Sequence, residues 1–175
     1  GLYRFNQWGY DIQLIGGILN SSDYVGGLGW SGNIKGAGFR GEMTYLHPKR
    51  DFKDTSGIFL ASASLDYMFN NSLYLQAEAF YNGYVKNLQL TNFMSFYGRP
   101  MSVKNLSFSE WSFFGQASYP FNPLLNGTLS AMYMPDLNGI FIGPNITYSL
   151  AQNLDFSLIV QHFRGKFPNP LTLQK

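Results

Sequence analysis

The stretch I-F-L-A-S-A-S-L-D-Y-M-F-N-N-S-L-Y-L-Q-A-E-A-F-Y-N, Ile58–Asn82, decides the fold. In its first half Phe59, Ala61, Ala63, Leu65, Tyr67 and Phe69 share one face of an extended chain. Leu60, Ser62, Ser64, Asp66 and Met68 share the other. Side chains of a strand alternate between faces, so one side is apolar and the other mostly polar. Asn70-Asn71-Ser72 carries turn chemistry. After it, Leu73, Leu75, Ala77, Ala79 and Tyr81 line one face, while Gln76, Glu78 and Asn82 line the other. Two alternating runs about a polar turn read as an antiparallel hairpin.

The same pattern recurs outward from this hairpin. Candidate strands are 8–19, 24–31, 37–46, 58–69, 73–82, 106–119, 125–134, 140–150 and 154–164, nine in all. No stretch combines a 3.6-residue period with helix caps, so no helix is expected. The reading is all-β, an antiparallel transmembrane β-barrel occupying one domain over residues 1–175.

Composition narrows the class. Among 175 residues there are 12 Lys and Arg, 10 Asp and Glu, and no Cys. The charged share, 13%, is about half that of an ordinary soluble domain. Aromatic residues make 18%, too many for a disordered chain. Apolar runs reach only about six residues, so helical membrane spans are excluded. A nearly even charge balance offers no basic surface for nucleic acid. A weakly charged, aromatic-rich chain whose apolar residues are dispersed by alternation fits a membrane barrel.

Connection lengths suggest a direction. Connections 32–36, 70–72, 120–124 and 151–153 are short, whereas 47–57 and the 23-residue 83–105 are long. Outer-membrane barrels place short turns on the periplasmic side and longer loops outside. With that assignment, the apolar face carries aromatics at two heights. Tyr45, Phe59, Tyr81, Trp111 and Tyr133 fall near the loop end, and Phe39, Tyr67, Phe69, Tyr119 and Tyr148 near the turn end. Met43, Ala63, Leu65, Leu75, Ala77, Gly115, Ala117, Leu129, Ala131 and Ile146 lie between them. Two aromatic belts flanking an aliphatic band match the two interfaces of a bilayer. A soluble barrel would instead turn its apolar face inward and charge the other.

The opposite face is the expected lumen. Its charges are Asp11, Glu42, Asp66, Glu78, Glu110 and Asp155, against the single base Arg40. Such an excess favours cations if it lines a pore. Arg40 and Glu42, two apart on one face, are expected to pair. The long connection is apolar for a loop. Leu88, Leu90, Phe93, Met94, Phe96 and Tyr97, with Arg99 beside them, would form a constriction in the lumen, a partner-binding surface or a rim helix.

Other signals are weak or awkward. No metal or cofactor is expected: Cys is absent and no H-E-x-x-H spacing occurs. Ser109, Glu110 and His162 could be drawn into a rim hydrolase site, but ordinary rim residues explain them better. Pro144 interrupts a strand, and a bulge at Gly143-Pro144 would relieve it.

An odd strand count starts the chain at the turn end and finishes it at the loop end. Single-chain bacterial barrels have even counts. The count therefore implies strands after Lys175 and before Gly1, or a half-strand hidden in the poorly patterned Gly1–Asp11. The absence of an initiator Met also suggests a processed chain or a piece.

The runs Gly29–Tyr45 (G-W-S-G-N-I-K-G-A-G-F-R-G-E-M-T-Y), Phe113–Pro120 (F-F-G-Q-A-S-Y-P) and Asn145–Ser157 (N-I-T-Y-S-L-A-Q-N-L-D-F-S) carry a resemblance. The chain resembles the C-terminal portion of porin-like outer-membrane barrels of Gram-negative bacteria. The resemblance spans nearly the whole chain through generic motifs. It implies the barrel fold, an outer-membrane location, passive passage of small solutes or ions, and membrane lipid as partner. The alternative is a structural or docking barrel that contacts other outer-membrane or surface proteins. Neither reading is an enzyme.

Overall fold

The computed structural model describes residues 1–50, 52–87, 102–104, 106–107 and 109–166. These residues form one antiparallel sheet of eleven strands with almost no helix. The strands are β1 (Leu2–Gln7), β2 (Tyr10–Leu19), β3 (Asp23–Ile34), β4 (Ala37–Pro48), β5 (Ile58–Met68), β6 (Tyr74–Asn82), β7 (Trp111–Asn122), β8 (Leu125–Met134), β9 (Gly139–Ala151), β10 (Leu154–Ile159) and β11 (His162–Arg164). Each of β1 to β9 pairs with the next in sequence, and β11 pairs with β9 as well. The sheet is not closed: among the described strands, β1 and β10 each have one neighbour. Short 3-10 turns follow β6 at Gly83–Asn87 and β8 at Pro135–Leu137.

Turn chemistry sets the hairpins. Trp8 and Gly9 have φ of 53° and 78°, and Lys35 and Gly36 have φ of 51° and 89°. Two successive positive-φ residues make the tight turn whose twist matches paired strands. Asn122 caps the β7–β8 turn, its Oδ1 accepting the amides of Leu124 and Leu125 at 2.9 Å each. Connections 8–9, 35–36, 69–73, 123–124 and 152–153 lie at one end of the sheet, and 20–22, 49–57, 83–110 and 135–138 lie at the other. We call these the turn end and the loop end.

Several expectations need correction. The strand count is eleven, not nine. β1 is not among the nine candidates but answers the alternative of a half-strand hidden in Gly1–Asp11, and it pairs with β2 from Leu2↔Ile15 to Gln7↔Tyr10. Its polar residues, Arg4, Asn6 and Gln7, hide the alternation. The chain therefore starts toward the loop end, where the Gly1 ammonium donates to the Gly16 carbonyl at 2.6 Å. Residues 106–110 belong to the long connection rather than to a strand, because β7 begins at Trp111.

The expected 154–164 strand divides, and Pro144 is the reason. The β8–β9 register runs unbroken through Leu129↔Pro144 and Ser130↔Gly143, so the expected bulge at Gly143-Pro144 is absent. Ile159↔Asn145 in β10 and His162↔Ile142 in β11 continue one and the same register. Between them Val160 donates to the Pro144 carbonyl at 3.0 Å. Proline has no amide to return that bond. The ladder is interrupted there without a change of register.

The two faces differ in accessibility. Along β9 the exposed residues are Ile140, Ile142, Pro144, Ile146, Tyr148 and Leu150, and the half-buried ones are Phe141, Gly143, Asn145, Thr147 and Ser149. Along β5, Ala63, Leu65 and Tyr67 are exposed while Ser62, Ser64 and Asp66 are half-buried. Residues of similar size differ, so crowding rather than bulk sets the pattern. The sheet curls with its polar face inward. Among the described residues, thirty-seven large hydrophobic residues are exposed and only five hydrophobic residues are buried. A soluble domain of this size would bury far more of them. The small core, Leu46, Ile58 and Leu60 with Leu19, Val25 and Tyr84 against it, sits on the inner face at the loop end.

Candidate functional site

The apolar face forms one surface. Following the register from β1 to β10, its residues include Tyr3, Leu14, Leu28, Met43, Leu65, Leu75, Ala117, Leu129, Ile146 and Leu158; no charged residue of these strands lies among them, and Arg164 of β11 joins the face opposite Ile140 at the loop end. The loop-end aromatics touch one another. Tyr45 lies across from Phe59, and ring centroids are 6.1 Å apart for Phe59–Tyr81 and 4.9 Å for Tyr81–Trp111. Tyr133 pairs with Phe113, whose ring stacks on Trp111 at 6.0 Å and 4°. Tyr24 and Phe52 extend the row, with the His47 ring tilted against Phe52 at 4.0 Å. The expected belts left these two out: Tyr24 opens the candidate strand 24–31, and Phe52 lies in a loop.

At the turn end Tyr67 packs edge-on against Phe69 at 4.7 Å. Tyr119 meets Phe121 at 5.3 Å, Phe39 meets Tyr10 at 6.4 Å, and Tyr148 pairs with Phe156. All ten belt residues thus lie on the apolar face. Trp30, on the same face, lies over Gly41 and 5.7 Å from Phe39.

The inner face carries the expected charges, but they do not form one ring. Near the turn end, Asp11 accepts from Asn6 Nδ2 at 2.9 Å and Asp155 from Ser149 Oγ at 2.5 Å. Arg40 pairs with Asp66 at 2.7 Å across β4 and β5, not with Glu42 as expected. A diagonal neighbour strand lies within reach, whereas successive inward residues of one strand splay apart along it. Glu42 pairs in register with Ser62, and Glu78 with Ser64. The two glutamates therefore flank β5, about 12 Å apart, two strand spacings across and two residues along. Glu110 stands at the loop-end rim, where its amide donates to Asp136 and its carbonyl accepts from Asn82 at 2.7 Å.

The long connection between β6 and β7 crosses this face. Lys104 Nζ bonds Asp23 Oδ1 at 2.8 Å, although Asp23 begins β3, three strands away from β6. The buried Asn82 side chain donates to the Lys104 carbonyl at 3.1 Å. Nearer β7, Ser107 Oγ bonds Ser112 Oγ at 2.8 Å and Ser109 Oγ donates to Asp136 at 2.8 Å. The described parts of the connection thus fold inward over the loop end. The apolar residues singled out in it, Leu88, Leu90, Phe93, Met94, Phe96 and Tyr97, and Arg99 with them, lie outside the described residues.

Ser109 is committed to Asp136, and Glu110 bonds it through its amide, while His162 sits exposed on β11 opposite Ile142. Among the described residues, no group of three or more His, Cys, Asp or Glu could hold a metal. No model of a known family, no curated protein and no solved structure matches this chain.

Proposed function

We propose that the sheet is part of a porin-like β-barrel of the bacterial outer membrane, through which small solutes or ions pass passively along the polar face. One observation carries the reading: the surface is inverted. Large apolar and aromatic side chains are the exposed ones, whereas serine, threonine and asparagine are turned inward. Water favours the opposite arrangement, and a bilayer favours this one. The paired aromatic rows fit the two interfaces.

The inner face lends itself to an aqueous path: Ser62, Ser64, Gln76, Gln116, Ser130 and Thr147 supply hydroxyl and amide groups that a hydrated solute can use. Acids outnumber bases there, which favours cations. The test is single-channel conductance in planar bilayers of potassium chloride. Stepwise conductance with cation preference supports the reading, and Glu42→Gln/Glu78→Gln should lower that preference. A sealed bilayer at saturating protein refutes passive passage.

A second reading, a structural or docking barrel subunit, is favoured by the two sheet edges. Among the described strands, β1 and β10 each leave one row of amides and carbonyls free of a strand. Within lipid such rows require a partner. Co-purification of a stoichiometric protein, together with absent conductance, would favour this alternative.

A further inference from the structure

We infer that the inner face beneath the long connection binds a small organic cation with an apolar body, such as a protonated or quaternary amine carrying an aromatic ring. The inference rests on the polar face being the interior of the channel. It names what that interior selects.

Two hollows lie side by side there. One, of about 290 Å³, is walled by Leu19, Val25, Leu46, Leu60 and Val103. The other, of about 370 Å³, is walled by Phe114, Met132, Met134 and Ser112. Phe80 and Leu106 line both. Val103 and Leu106 remain 48% and 60% exposed although they cover these walls. Each hollow therefore presents apolar surface left uncovered by the described residues. At about 30 Å³ per water-sized group, each holds a body of about ten non-hydrogen atoms.

Charge decides what kind of body fits. Each hollow contains one carboxylate: Glu42 in the first and Glu78 in the second. Among the described bases of this face, Arg40 is engaged with Asp66 at 2.7 Å and Lys104 with Asp23 at 2.8 Å, while Arg4 stands on β1, three strands from Glu42. Exposed Glu42 and half-buried Glu78 thus border the apolar walls, and no base among the described residues pairs with them. A neutral apolar molecule seated there would strip water from the carboxylates and give no charge in return, which is costly. An anion would be repelled. A bare hydrated cation would gain nothing from the leucines. A cation with an apolar body satisfies both features, and the rings of Phe80 and Phe114 add cation–π attraction.

The experiment uses the full chain in nanodiscs of zwitterionic lipid, titrated by calorimetry. The probe is benzyltrimethylammonium. Its comparators are tetramethylammonium, which lacks the apolar body, and neopentylbenzene, which lacks the charge. The expected result is saturable binding of the probe about tenfold or more tighter than either comparator, with Glu42→Gln and Glu78→Gln each weakening it about tenfold. These isosteric substitutions preserve the walls. Absence of saturable binding overturns the inference, as does equal affinity in the double variant or for tetramethylammonium. Conductance of potassium chloride without probe binding removes the site and leaves the channel. Probe binding without conductance supports the site and refutes the channel.

Discussion

Lys104 and Asp23, 81 positions apart in the chain, meet at 2.8 Å, and the aspartate side chain is 7% exposed. This pair fastens the long connection onto β3, three strands away from its root in β6. Ser22 Oγ also donates to Asp23, at 2.7 Å, so the carboxylate is held from both sides. Substituting Asp23→Asn removes the charge and leaves Lys104 partly buried without its counter-ion. The expected cost is about 1–3 kcal/mol, with faster proteolysis within 83–110. Thermal unfolding in detergent and timed proteolysis check this. Exchanging the two residues, Asp23→Lys with Lys104→Asp, should recover part of the loss.

Pro144 explains the break between β10 and β11, so restoring an amide there should mend it. In Pro144→Val the new N–H faces the Val160 carbonyl in an unchanged register. One added ladder bond is worth about 1 kcal/mol. Amide hydrogen exchange from Val160 to His162 should slow. Unchanged exchange there would show that the interruption has another cause.

The inverted surface separates a membrane sheet from a soluble one by the sign of a substitution. Leu65 is 47% exposed on the apolar face, and Ser64 beside it is half-buried on the polar face. In lipid, Leu65→Arg should cost about 2–4 kcal/mol, whereas Ser64→Arg should cost less. Denaturant titration of the chain refolded into vesicles measures both. A soluble protein would give the reverse order, since an exposed arginine is harmless in water.

Gly41 is held small by its neighbours. A Cβ there would lie 2.7 Å from the Ser62 carbonyl oxygen and would also strike the Trp30 ring. The backbone oxygen cannot yield without distorting the β4–β5 ladder. Gly41→Ala should destabilise by about 1–3 kcal/mol and shift the tryptophan emission. Gly115, whose nearest neighbour to a new Cβ is 4.0 Å away, is the control: Gly115→Ala should be nearly neutral.

Much of the sheet was legible because strand alternation is local. Phe59, Leu65, Tyr81, Trp111 and Tyr133 declare their face through their immediate neighbours, and the register agrees for every one. β1 was missed for the same reason: Arg4, Asn6 and Gln7 supply no clear alternation over so short a strand. Pro144 was noticed, but its effect falls on the partner strand, which a proline's own neighbourhood does not reveal.

The order of residues alone tells which side chains share a face and where the hairpins turn, and it keeps the charges of β1 to β10 off the apolar side, although Arg164 of β11 lies opposite Ile140 on it. These follow from the two-residue period and from turn residues, each read over a few positions. Tertiary structure alone decided that Arg40 bonds Asp66 rather than Glu42, that Lys104 crosses to Asp23, and that Glu42 and Glu78 border apolar hollows. Those partnerships join residues from different strands. They depend on pairing register and on where a long connection lands, and both are set by the sum of many distant contacts.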